Sequence, residues 1–124
     1  MTWEKVPAEN IALLDQMMSE YPDAMRKSMF GCPVYFIAGN LCIGAHEGNF
    51  MLRLSDADRA ELLEHPAVIN FTPMPGRPMR EYLLLPPVIH QNSDLFRSWI
   101  RRAVDYVRTL PSPPPKKSRI KRIS

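Results

Sequence analysis

The stretch PVYFIAGNLCIGAHEGNFMLRL, residues 33–54, limits what this chain can fold into more than any other. Three runs that are rich in β-formers or alternate in polarity, PVYFI, LCIGA and NFMLRL, are separated only by AGN and HEG, and so predict a three-stranded antiparallel meander. Gly39 and Asn40 both tolerate positive φ, which a two-residue hairpin turn requires. With the turn at that pair, Ala38 stands opposite Leu41, Ile37 opposite Cys42 and Phe36 opposite Ile43. In the third run Phe50, Leu52 and Leu54 share one face, with Met51 and Arg53 on the other.

The flanking segments have the helical period. Over residues 7–21, Ile11, Leu14, Met17, Met18 and Tyr21 recur at three and four, with Pro7 expected at the first helical position and Pro22 as a stop. SDADRAELLEH opens with Ser55 as N-cap and Asp58 three residues on, and Ala60, Leu63 and Leu62 are expected toward the sheet. AVINF and MREYLLL predict two further strands joined through TPMPGRP, with a type II turn at Pro75-Gly76 and Pro86-Pro87 closing the last strand. A final helix from residue 92 or 93 to 110 buries Leu95, Phe96, Trp99, Ile100, Ala103, Val104 and Val107. The expected fold class is α+β, a two-layer αβββαββα domain whose five-stranded antiparallel sheet carries its helices on one face.

A chain of 124 residues holds one domain of this kind, and we expect it over residues 1–111. There is no apolar run long enough to span a membrane, and charges at Glu4, Lys5 and Glu9 interrupt any leader-like segment, so a cytoplasmic location is expected. The net charge of +3 is concentrated at the end: residues 112–124, SPPPKKSRIKRIS, hold Lys116, Lys117, Arg119, Lys121 and Arg122 and no acid. Without those five the remainder has 11 basic against 13 acidic side chains. A disordered Pro-rich tail is expected there, with the capacity to neutralise about five phosphates of a nucleic acid. The bland reading of the tail is a solubilising end.

The residues MFG at 29–31, the hairpin VYFIAGNLCIGA, LRLS, GRPMREYLLLPP and a helix ending LPSPPPKK resemble the TfoX N-terminal-domain family, over roughly residues 8–117. The resemblance implies an α+β fold of the secretion-chaperone kind, with Met29, Phe30, Gly31, Gly39, Gly76, Arg77, Pro78 and Trp99 as motif positions. The family takes its name from regulators of natural competence in which a second, C-terminal domain follows. A chain stopping at Ser124 is expected to be the single-domain form. Cys32-Pro33 stands where relatives often have a second glycine.

No motif names a reaction, and no cofactor or metal is expected. Cys32 lies five positions beyond the residue opposite Cys42, about 16 Å along a strand rising about 3.3 Å per residue. A disulfide spans a Cα separation of about 7 Å at most, so the pair is read as two thiols held apart, with Cys32 open as an individual thiol. His46, His65 and His90 fall in separate connections without zinc-ligand spacing. Glu47, Asp56 and Glu81 form no marked acid–base pair. Arg77, Arg80 and Tyr82 together are a candidate anion or partner site, against the plainer reading of a turn with edge charges. Met17, Met18, Met25, Met29, Met51, Met74 and Met79 either fill the core or form an adaptable surface for apolar peptides.

The leading expectation is therefore a non-enzymatic binding or regulatory module whose partner is a protein or a second copy, as a homodimer. The alternatives are a peptide-binding chaperone-like protein and a nucleic-acid-associated protein acting through the tail and the arginines of the last helix. Neither a membrane nor a small-molecule substrate is expected.

Overall fold

The computed structural model describes residues 5–29, 31–72 and 79–113. Helix α1 (Ala8–Met18) is followed by strands β1 (Ala24–Met29), β2 (Cys32–Ile37), β3 (Asn40–His46) and β4 (Asn49–Arg53), then α2 (Asp56–Leu62), β5 (Ile69–Asn70), β6 (Tyr82–Leu85), α3 (Pro87–His90) and α4 (Ser93–Arg108). The six strands form one antiparallel sheet in the order β1-β2-β3-β4-β6-β5. The α+β class and the open antiparallel sheet agree with expectation, but there are six described strands rather than five, and α3 is an added turn of helix. Pro7 caps α1 from outside in an extended conformation instead of occupying its first turn.

The missed strand is β1. Its sequence, AMRKSM, has no buried alternating face because it is an edge strand whose four central residues are exposed. At the opposite edge, AVINF contributes only the two exposed residues of β5, with Val68 and Phe71 buried on either side. The α2 expectation is also corrected: Leu62 is buried while Ala60 and Leu63 are exposed. Arg59, largely covered, takes the inward position by donating to the Leu54 carbonyl. One residue of phase turns a helix by about 100°, and seven residues carry too little periodicity to fix that phase. The Ser55 cap accepts from the Asp58 amide at 3.3 Å as expected.

The central hairpin turns one residue earlier than its composition indicates. Ile37 pairs with Asn40, so Ala38 and Gly39 are the turn, with φ of +51° and +85°. Asn40 is withdrawn because its side-chain amide donates to the Pro111 carbonyl at 3.1 Å. A bulge then absorbs the shift: Phe36 pairs with Leu41 and Tyr35 with Ile43, leaving Cys42 as the extra residue. Cys42 and Ile43 consequently both enter the helix-side core. Non-glycine residues tolerate the left-handed region poorly, so Ala38→Gly is expected to raise stability by about 0.5–1 kcal/mol. A higher urea midpoint with an unchanged slope checks this.

Two apolar clusters sit on opposite sides of the sheet. On the helix side, Leu14, Met17 and Met18 of α1, Leu62, Ile89 and the α4 stripe Phe96, Trp99, Ile100, Ala103, Val104 and Val107 close over Ile37, Ile43, Phe50, Leu52, Leu83 and Leu85. The stripe of α4 is buried from Phe96 to Val107 as its periodicity predicts, with Leu95 at its start only partly buried. On the other side, Val34, Leu41, Met51, Phe71 and Tyr82 form a second cluster, with Met29, Phe36, Met79 and Leu84 against it.

Candidate functional site

Strand alternation and the pairing register assign the helix-free face, which also carries His46 and Arg53 beside its apolar residues. Met25, Lys27 and Met29 of β1 stand beside Phe36, Val34 and Cys32 of β2; then come Leu41 and Gly44 of β3, Met51 of β4, Tyr82 and Leu84 of β6, and Ile69 of β5. Its centre is closed, with Val34 and Met51 at 1% and 2% exposure, while its margins are open, with Met25 at 64% and Ile69 at 55%. Lys27 holds its ammonium 4.9 Å from the centre of the Phe36 ring. Met25 is among the methionines weighed as an adaptable surface, but Lys27 has no place beside it in that reading because β1 is not expected from the sequence; the apolar–basic–apolar spacing of two at 25, 27 and 29 is the signal that marks the strand.

The anion-site candidates are placed apart in role. Tyr82 is buried and its hydroxyl donates to the Leu41 carbonyl at 3.0 Å, with burial pushing the phenol up to about 12. Arg80 is exposed and lies in the turn before β6 rather than within the strand. Arg77 and the tail residues Lys116, Lys117, Arg119, Lys121 and Arg122 lie outside the described residues.

Several of the other charged groups pair with one another. Asp15 accepts from Arg26 at 2.9 Å and from the Tyr35 hydroxyl at 2.7 Å. Partial burial works to raise the Asp15 carboxyl, but these two bonds leave it below its ordinary range, while burial and Asp15 push Tyr35 up to about 12. Glu81 likewise accepts from Arg53 at 2.7 Å and from Tyr106 at 3.0 Å. Three α4 arginines reach carboxylates on other elements: Arg97 to Glu20, Arg102 to Asp58 and Glu61, and Arg108 to Asp23. A shallow depression of about 400 Å³ beside α2 and α4, lined by Ser55, Asp58, Arg102, Asp105, Tyr106 and Thr109, contains this Arg102 pairing.

The thiols form no disulfide with each other and lie on opposite faces, Cys42 toward the helices and Cys32 on the helix-free side. Because of the turn shift Cys32 is only three residues along β2 from Tyr35, beside the bulge, a separation of about 10 Å rather than the expected 16 Å but still beyond disulfide reach. Burial pushes the Cys42 thiol up to about 12 and also raises Cys32, where Glu47 adds to the effect. No group of three or more His, Cys, Asp or Glu side chains among the described residues is arranged to hold a metal ion.

His90 is buried at the end of α3, its Nε2 3.0 Å from the Gly48 carbonyl, its ring 4.8 Å edge-on to Phe50, and its Nδ1 without a partner among the described residues. Burial lowers its pKa, with the Gly48 bond opposing, and burial lowers His46 too. The native state therefore favours neutral rings, whereas the unfolded chain protonates near pH 6.5. Between that pH and the lower native pKa the unfolded state binds more protons, so stability is expected to fall as pH drops from 7.5 to 5.5. Urea midpoints across that range check the slope, and His90→Gln should flatten it.

The family model of the TfoX N-terminal domain matches residues 16–107. The chain belongs to the TfoX N-terminal domain family. No curated protein and no solved structure matches it. In this TfoX N-terminal domain, Met29 ends β1, Gly31 and Gly39 supply φ of +78° and +85° in successive turns, and Trp99 packs in the helix-side core beneath the Arg102 guanidinium, 4.4 Å from the ring centre. A side chain at Gly39 would also approach Pro113 to 3.0 Å. The motif positions Phe30, Gly76, Arg77 and Pro78 lie outside the described residues. Among the described residues no helix is long and apolar enough to cross a membrane.

Proposed function

We propose that this TfoX N-terminal domain is a non-enzymatic, cytoplasmic binding module that engages a protein partner through the open margin of its helix-free sheet face. The observation that carries the reading is the make-up of that face: apolar side chains run from Met25 through Phe36 and Leu84 to Ile69, with no helix of the described chain standing on them. A regulatory role, as in the competence regulators that name the family, is the setting in which such a module acts. Photo-crosslinking amino acids placed at Met25 and Ile69 in the source cells are expected to capture a discrete partner. The same reagent at Leu63 and Val88, exposed apolar positions at the C-terminal cap of α2 and on α3, is expected not to. Crosslinks from the helical positions alone, or from none, would overturn the reading.

The methionines favour a second reading, a chaperone-like binder of apolar peptides. Met17 and Met18 are in the helix-side core, whereas Met29, Met51 and Met79 belong to the opposite cluster and Met25 is exposed; Met74 lies outside the described residues. Thioethers repack readily against varied side chains, so this reading predicts broad rather than discrete capture at Met25. Nucleic-acid association is a third proposal and rests on the tail, since Arg97, Arg102 and Arg108 are held by carboxylates of the same chain. Deleting residues 112–124 should then abolish salt-sensitive DNA binding.

A further inference from the structure

We infer that the free edge of β1 is a docking site for an extended acidic peptide, which adds to the sheet as a seventh strand; the inference rests on the binding-module reading and names the partner's chemistry. Strand β1 is six residues long and contains no proline, whereas the other edge, β5, is two residues. Among the described residues, the backbone groups of Met25 to Met29 hydrogen-bond only to β2, so the outward amides and carbonyls of this edge have no protein partner. A sheet edge in this condition is a template for an incoming strand.

The side chains that guard edges elsewhere are turned aside here. Arg26 is drawn onto Asp15 of α1 at 2.9 Å, and Lys27 lies over Phe36 on the neighbouring strand. What β1 presents on the helix-free face is Met25, Lys27, Met29, and no described carboxylate pairs with Lys27. A strand laid alongside with the pattern apolar, any, acidic, any, apolar sets apolar residues opposite the two methionines and a carboxylate opposite the ammonium. Cross-strand pairs of each kind contribute about 0.2–1 kcal/mol. A second copy of the chain fits worse: in the antiparallel register that pairs all six β1 residues, Arg26 of one copy faces Lys27 of the other. Like charges directly opposite are destabilising, which selects an acidic strand over self-association.

The test uses the full chain and synthetic ten-residue peptides of that pattern. One carries Glu at the central acidic position, one carries Lys there, and two are Glu peptides N-methylated on alternate amides, one isomer on each edge. The Glu peptide is expected to bind saturably and to slow hydrogen exchange at β1 amides, with the Lys peptide weaker by about three- to tenfold. One N-methylated isomer should lose binding, because its ladder amides are blocked, and the other should retain it. Lys27→Glu, an exposed change that leaves the core intact, should reverse the charge preference. The inference is overturned by absence of saturable binding, by equal behaviour of the two methylated isomers, by protection arising anywhere but β1, or by sedimentation of a dimer whose β1 amides are already protected. Crosslinking from Met25 that succeeds while the peptide experiment fails would remove the edge proposal and leave the binding-module reading standing.

Discussion

Phe50→Ala is expected to cost about 3–5 kcal/mol, which is a large part of the roughly 5–15 kcal/mol that holds a domain together. Phe50 is fully buried on β4 and links three elements: its ring centre is 4.9 Å from Phe96 of α4 and 4.8 Å from His90 of α3, and its backbone pairs with Leu85 of β6. Truncation leaves a cavity under α4 and strips the His90 ring of an edge-on partner. Backbone paired on both sides in a sheet collapses little to refill such a space. Chemical denaturation should show a strongly reduced midpoint, while Phe50→Leu, which keeps most of the volume, should lose markedly less. Equal losses for the two variants would show that shape at this position matters more than volume.

Gly44→Val is expected to destabilise by about 1–3 kcal/mol through overpacking on the opposite face. A β-carbon at Gly44 would lie 2.6 Å from Cγ1 of Val34 and 2.8 Å from Cε of Met51. The Met51 methyl ends a flexible side chain and can move. The Val34 branch cannot, because it sits one bond from its β-carbon on a strand paired from both sides. Gly44 has no unusual φ, so the whole penalty is steric, and relieving the clash should relieve the loss. A double-mutant cycle of Gly44→Ala with Val34→Ala is expected to show favourable coupling of about 0.5–3 kcal/mol, read from denaturation of the four proteins. Strict additivity would contradict the packing explanation.

How much of this was legible depended on whether a residue's role was local. The α4 stripe, the Ser55 cap, the placing of the two cysteines beyond disulfide reach and the three strands of the meander over residues 33–54 are governed by period, capping chemistry and strand alternation, and these agree with expectation although the turn and the cysteine spacing differ. Residues whose role is set by something distant were misread. The turn slipped from Gly39-Asn40 to Ala38-Gly39 because Asn40 is used by Pro111, 71 residues away. Strand β1 was missed because its four central residues are exposed and show no alternating buried face, leaving only the spacing of Met25, Lys27 and Met29 to mark it, and Tyr82 looked like a surface ligand until its hydroxyl met Leu41.

The sequence by itself determined the α+β class, the antiparallel meander, the amphipathic last helix and membership of the TfoX N-terminal domain family. Only the tertiary structure decided which strands form the edges of the sheet, which methionines belong to the core and which to the helix-free face, and which arginines are held by carboxylates of the same chain. The physical reason is range. Period, capping and turn preference act over a few residues and are written locally, whereas strand order, facing and charge pairing join residues tens of positions apart and come into being only when the chain has closed on itself.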